Sequence, residues 1–222
     1  MKRTKKHHLK RKTKAIIGII LCISLAAANI ALNNRTWTRK SALEDLMDYH
    51  STGEVDIITE LPELLIKYKG HYRFYLVENE NCFAQFCVNN SFWYGWGDGP
   101  CLIVEKYDSK MLQATYNSFI SARDEDKEML RVFGLVRDES ISRIEIEINF
   151  AVTGADQTLK KLILKTDSFI EYEGVKYFCI DHIYVDKLSE HLMPPFTAMA
   201  YNAENELVYS ENITLGQSTS LG

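Results

Sequence analysis

Residues 15–32 read AIIGIILCISLAAANIAL, eighteen positions without a charge, nine of them Ile or Leu. No other feature restricts the chain as tightly. Each Ile or Leu contributes about −0.3 to −0.6 kcal/mol to membrane insertion, so the run supplies roughly −3 to −5 kcal/mol before the opposing cost of Ser24, Asn29 and Gly18. As a helix it is about 27 Å long, near the ~30 Å hydrocarbon core of a bilayer. The predicted membrane-anchor side chains are Ile16, Ile17, Ile19, Ile20, Leu21, Ile23 and Leu25.

The flanks of the run set a direction. Residues 1–14 hold eight Lys or Arg and no acid, whereas only Arg35, Arg39 and Lys40 follow closely on the other side. Basic residues stay on the cytoplasmic side, which predicts a cytoplasmic tail at 1–14, a signal anchor at 15–33 and everything later outside. Two readings remain open. Uncleaved, the segment makes a single-pass protein of the cell membrane. Alternatively, it is a signal peptide cut after the small residues Ala26-Ala27-Ala28, which releases a secreted protein. The continuation of the apolar run through Ile30 and Leu32 favours the anchor. Lipidation at Cys22 is disfavoured, because Leu21 stands where a small residue is expected.

Net charge over 222 residues is −4, with 46% hydrophobic and 25% charged residues, which excludes a collagenous or wholly disordered chain. That sum hides a division of +8 in residues 1–34 and −12 in the remainder. The basic segment reads as a topology signal touching lipid headgroups. The acidic remainder disfavours nucleic acid as a partner, since it would repel phosphates.

Beyond the anchor, residues 38–50 (TRKSALEDLMDYH) read as a helix with Leu43, Leu46 and Met47 on one face and a capping-box spacing from Ser41 to Glu44. Gly53 is expected to end it, and 53–60 reads as a connector. This gives a juxtamembrane helix and connector over 34–63. From residue 64 the period becomes that of strands. Runs at 64–68, 72–77, 82–88, 92–96 and 102–107 form a predicted hairpin meander, with a turn at 97–100. Residues 108–128 are ambiguous, with a short helix around 111–116. Strands follow at 129–136, 143–150, 159–165, 169–172, 175–180, 196–201 and 207–209. In 143–150, Ile144, Ile146, Ile148 and Phe150 alternate with polar residues, as in a sheet wetted on one side. The predicted class is mostly β. An antiparallel meander and β-sandwich-like extracytoplasmic domain spans 64–211, and a frayed tail follows at 212–222.

The stretches FGLVRDESISRIEIEINF (133–150) and FTAMAYNAENELVY (196–209), preceded by RFYLVENENCFAQFCVNNSFWYGWG (73–97), carry a resemblance. The chain resembles a group of small exported, membrane-anchored β-rich proteins of low-GC Gram-positive bacteria. Their pattern is F-G-[LIV]-[LIV]-x-D-x-x-I leading into an alternating strand, with a closing A-[YF]-[DN]-x-x-[GN]-x-[LIV]-[LIV]-Y hairpin. The resemblance covers about two thirds of the chain. Asn205 stands where Gly is commoner. These motifs are turns and strands, so the resemblance implies a fold and an envelope location and transfers no catalytic residue.

Signals for chemistry are sparse. No nucleophile elbow, H-E-x-x-H, EF-hand or phosphate loop is present, so no catalytic residue, metal ligand or cofactor is predicted. Asp181, His182 and His191, and separately Asp124-Glu125-Asp126, are the densest polar groups; both read more simply as strand-end and turn residues. Cys82, Cys87, Cys101 and Cys179 could form disulfides in an exported domain or stay buried as thiols. Cys82 and Cys87 are five apart and face opposite sides of a strand, so they should not pair with each other. The stretch FWYGWGDGP (92–100) is the most distinctive. Trp93, Tyr94 and Trp96 could stack on a sugar, a peptide or a lipid headgroup, or could simply pack the core.

The expected function is therefore a binding or assembly module of the bacterial cell envelope, with the bilayer as partner and an envelope protein or polysaccharide as ligand. The alternatives are an envelope-bound or secreted hydrolase with a dispersed site, and a regulator acting on a membrane partner through the anchor helix.

Overall fold

The computed structural model describes residues 4–32, 35–62, 71–91, 95–120, 128–152, 158–183, 194–213 and 217–219. One long helix, α1 (Thr4–Leu32), precedes a mostly β body. Within α1, Lys12–Leu32 is long and apolar enough to cross a membrane or to serve as a signal, and only 6% of that window is buried.

Helix α2 (Arg39–His50) begins one turn earlier than the capping-box spacing suggested. Thr38 is the N-cap, and its hydroxyl accepts the Ser41 N–H at 3.1 Å. Ser41 therefore sits inside the first turn. The helix ends at Ser51, which is left-handed at φ 52 and returns its N–H to Asp48 and Met47. Gly53 lies two residues further on. Ala42, Leu43 and Leu46 are buried against the sheet below, and truncating Leu46 to Ala would cost about 2–5 kcal/mol.

Three antiparallel sheets are stacked beneath α2. The first contains β1 (Asp56–Leu61), β2 (His71–Glu78), β3 (Cys82–Ser91), β4 (Gly95–Asp98), β5 (Cys101–Glu105) and β14 (Gln217–Thr219). The second runs β10 (Ile170–Tyr172), β11 (Val175–Ile183), β7 (Glu128–Val136), β6 (Leu112–Ile120). The third runs β13 (Leu207–Ile213), β12 (Phe196–Asn202), β8 (Ile141–Val152), β9 (Thr158–Thr166).

The middle sheet is buried on both faces, which explains the near-continuous apolar reading of β7. Met129, Phe133 and Leu135 pack on the first sheet with Phe74, Leu76, Phe83 and Leu102. Leu130, Val132 and Val136 pack on the third sheet with Ile144, Ile146, Ile148 and Phe196. On β8 the alternation resolves as expected. Its isoleucines point inward, while Glu145 and Glu147 face outward and pair with Lys165 at 2.7 Å and Lys161 at 2.8 Å.

Four expectations are corrected. The connector read over 53–60 contains β1, whose residues pair with β2 from Asp56↔Glu78 to Leu61↔Phe74. The short helix expected around 111–116 is strand β6. Leu112 and Tyr116 are four apart, a spacing that puts two residues on one face in either period, so periodicity could not decide it. The tail read as frayed contains β14, paired with β5 through Gln217↔Ile103 and Thr219↔Cys101. The turn placed at 97–100 is also shorter, because Gly97 and Asp98 belong to β4. The strand expected at 64–68 lies outside the described residues.

Candidate functional site

The chain leaves α1 by lying on β4. Ile30 is buried, and its carbonyl accepts the Arg35 N–H at 3.0 Å. Thr36 and Trp96 then form an antiparallel bridge, N–H to carbonyl at 2.8 Å one way and 2.9 Å the other.

The alternating glycines of β4 make room for this. Gly95 has φ +72, and a Cβ there would stand 2.6 Å from the Thr36 carbonyl oxygen and 3.3 Å from Ile30 Cδ1. Gly97 lies under the Arg35 side chain, whose Nη1 donates to Asn89 Oδ1 on the adjoining strand. Gly99 gives way to Cys87, whose Sγ would be 2.8 Å from a Cβ. On a strand, alternate residues share a face, so the spacing that cannot cradle a phosphate builds a flat seat for another chain segment. Trp96 is half-buried and packs in the core under α2. Trp93 and Tyr94 lie outside the described residues.

At the opposite end of the first and second sheets is a cleft of about 590 Å³. Asn79 organises its wall. The side-chain carbonyl caps the Asn81 and Cys82 N–H groups, both at 2.9 Å, and the amide donates to the Thr52 carbonyl at 2.8 Å, fastening the loop after α2. Glu78 is buried at its base and accepts hydrogen bonds from the Tyr177 hydroxyl and the Lys106 ammonium. Lys106 also donates to the Asn79 carbonyl at 2.8 Å.

Burial and the bond to Glu78 push the Tyr177 hydroxyl pKa well up, so it remains a proton donor at all physiological pH. Glu54, Asp56, Glu80 and Glu173 complete the rim. A smaller pocket with Glu139, Glu171 and Lys176 adjoins through Glu173. The rim is net acidic, which suits cationic or hydroxyl-rich groups. Among the described residues no group of three His, Cys, Asp or Glu side chains is placed to hold a metal ion.

Arg131 is the most buried charge and lies at the other end of the same two-sheet interface. It stacks over the Phe74 ring at 5.0 Å, donates to both oxygens of Asp181 and reaches the Pro62 carbonyl at 2.8 Å. Asp181 is thus committed to an ion pair. His182 is half-buried, which lowers its pKa, while His191 and residues 124–126 lie outside the described residues.

No disulfide joins Cys82, Cys87, Cys101 and Cys179. Cys87 belongs to the core between the first and second sheets, and Cys101 to the core under α2. The two therefore lie on opposite faces of one sheet.

Sequence reasoning missed Glu78, Lys106 and Tyr177; Tyr177 lies 99 residues from Glu78 and Lys106 lies 28. Arg131 carried a usable signal: a lone charge inside an apolar run fit for a strand buried on both faces must find a partner.

Neither a family model, nor a curated protein, nor a solved structure matches the chain.

Proposed function

We propose that this chain is a single-pass membrane protein with a cytoplasmic N-terminus, whose three-sheet domain works outside the membrane as a binding or assembly module of the bacterial cell envelope. The observation that carries this is the contrast along α1. Ile16, Ile17, Ile19, Ile20, Leu21, Ile23 and Leu25 are each more than half exposed, while Ile30 is buried on the domain. An apolar helix surface of this length needs a non-aqueous neighbour, and a bilayer supplies one. The eight basic residues ahead of it support the orientation. The acidic cleft at Glu78 is the recognition site in this reading, and its ligand is a cation-bearing or hydroxyl-rich envelope component.

The test is membrane fractionation followed by mass spectrometry of the mature N-terminus. An intact N-terminus in the membrane fraction supports the reading. A soluble chain beginning at Asn29 would sink the anchor.

A second reading is favoured by the bridge between Thr36 and Trp96. A helix joined to a sheet by paired backbone bonds passes its movements to that sheet, as a regulator of a membrane partner would require. Replacing residues 15–28 with an unrelated apolar helix should abolish function in this case and preserve it in the first.

A further inference from the structure

The seat on β4 has a consequence for how the domain meets a membrane. Only residues 33 and 34 separate the last turn of α1 from a chain already bonded into the first sheet. The helix end and sheet are held at four points: Ile30 on Gly95, the two Thr36–Trp96 backbone bonds, and Arg35 on Asn89. There is no room for a flexible spacer that would let the domain float free.

The residues at this foot differ from the rest of the domain. Trp37 is 63% exposed. Lys40 is more exposed still and reaches Glu44 at 3.6 Å, and Arg39 is half exposed beside Glu60 at 3.4 Å. Between Asn29 and Lys40 there are three basic residues and no acid, although the remainder of the domain is strongly acidic. The carboxylates Glu54, Asp56, Glu80 and Glu173 gather at the opposite end, around the cleft. Around Trp37 the cations Arg35, Arg39, Lys40 and Arg73 outnumber Glu44 and Glu60, so the end that α1 enters is net basic and the cleft is net acidic.

We propose that this foot is a lipid-seating surface: Trp37 lies in the headgroup layer of the bilayer, Lys40 reaches its phosphates, and the glycine seat on β4 holds the domain in that posture with the acidic cleft directed away. The partner is a phospholipid surface. Trp prefers the headgroup layer because its ring is apolar and its N–H is polar. A basic side chain near an anionic surface is drawn to it. The same field repels the acidic end, so both ends of the domain favour one posture. The inference rests on the membrane reading above and adds a surface and an orientation to it.

The test uses the full-length chain reconstituted in vesicles of phosphatidylcholine and phosphatidylglycerol with brominated acyl chains, alongside the W37F variant. Trp37 is exposed, so W37F should fold as the parent does. Lipid bromines should quench the parent, and W37F should lose roughly half or more of that quenching, as an interfacial indole would contribute. A chain that floats with the vesicles and whose quenching is unchanged in W37F overturns the seating while leaving the anchor intact. A chain that does not float with the vesicles overturns both. In vesicles without phosphatidylglycerol, quenching of Trp37 should weaken; K40E should weaken it in the mixed vesicles and leave flotation unaltered.

Discussion

Asp181 places both carboxylate oxygens on the Arg131 guanidinium, 2.6 Å from Nε and 2.7 Å from Nη2, although Arg131 is fully buried between two sheets and Asp181 remains partly exposed. Removing one member of such a pair strands a charge in the core. D181A is expected to lose about 3 kcal/mol of stability, the lower end of the range because water can reach the vacated side. The double variant R131M/D181A should recover much of that loss, since no buried charge remains. Chemical unfolding of the detergent-solubilised chain measures both. A loss below about 1 kcal/mol in D181A would remove the pair from the account of the core.

Gly134 on β7 has no space for a side chain. A Cβ there would stand 2.6 Å from the Phe178 ring and 2.9 Å from the Ala114 Cα of the neighbouring strand, so β6 itself must move. G134A should cost about 3 kcal/mol through overpacking. G18A, with no neighbour within 4 Å, should leave the unfolding midpoint of the domain unchanged. Thermal melts of the two variants side by side separate these outcomes.

The Tyr177 and Lys106 bonds to Glu78 differ in what their loss leaves behind. Y177F removes a hydrogen bond to a buried carboxylate and should cost about 1.5–3 kcal/mol. K106M leaves Glu78 buried without a cation and should cost about 3–5 kcal/mol. If K106M proved the milder of the two, charge compensation would not be what holds the cleft floor.

Asp138 links pH to stability. Hydrogen bonds from the Ser140 hydroxyl and backbone N–H, then from the Tyr209 hydroxyl, hold its pKa below the ordinary 3.8. A carboxyl with a depressed folded pKa stabilises the fold above its unfolded value, and that contribution is lost as pH falls through the folded pKa. Wild-type stability should therefore decline below about pH 4, and S140A should flatten that part of the profile. Urea midpoints between neutral pH and pH 2 would show it; identical acid limbs in the two proteins would refute the role of Ser140.

Burial pushes the thiol pKa of Cys87 and Cys82 up and that of Cys179 up to about 12. These groups should be nearly inert to iodoacetamide at neutral pH in the folded protein, since the thiolate is the reactive form. After denaturation without reductant, thiol titration should return all five cysteines. Fewer would mean that a disulfide forms.

Elements fixed by neighbouring residues match their sequence pattern. The alternation on β8 and the strands at 129–136 and 175–180 each depend on residues within a few positions, and each resolves as predicted. Segments whose state depends on a distant neighbour did not. β1 is recognisable only once β2 pairs with it, and Gln217-Ser218-Thr219 is a strand only because β5 offers an open edge. In β6 the four-residue spacing of Leu112 and Tyr116 fits helix and strand alike, so the choice fell to the edge of β7.

By itself, the sequence determined the apolar helix, the β class, the wet face of β8 and the division between a basic start and an acidic remainder. These follow from periodicity and charge, which are properties of neighbouring residues. Tertiary structure decided why glycine recurs at 95, 97 and 99, where Arg131 finds its partner, and that Lys106 and Tyr177 both meet Glu78. Those depend on which strands become neighbours, and burial energy settles that for the whole chain at once.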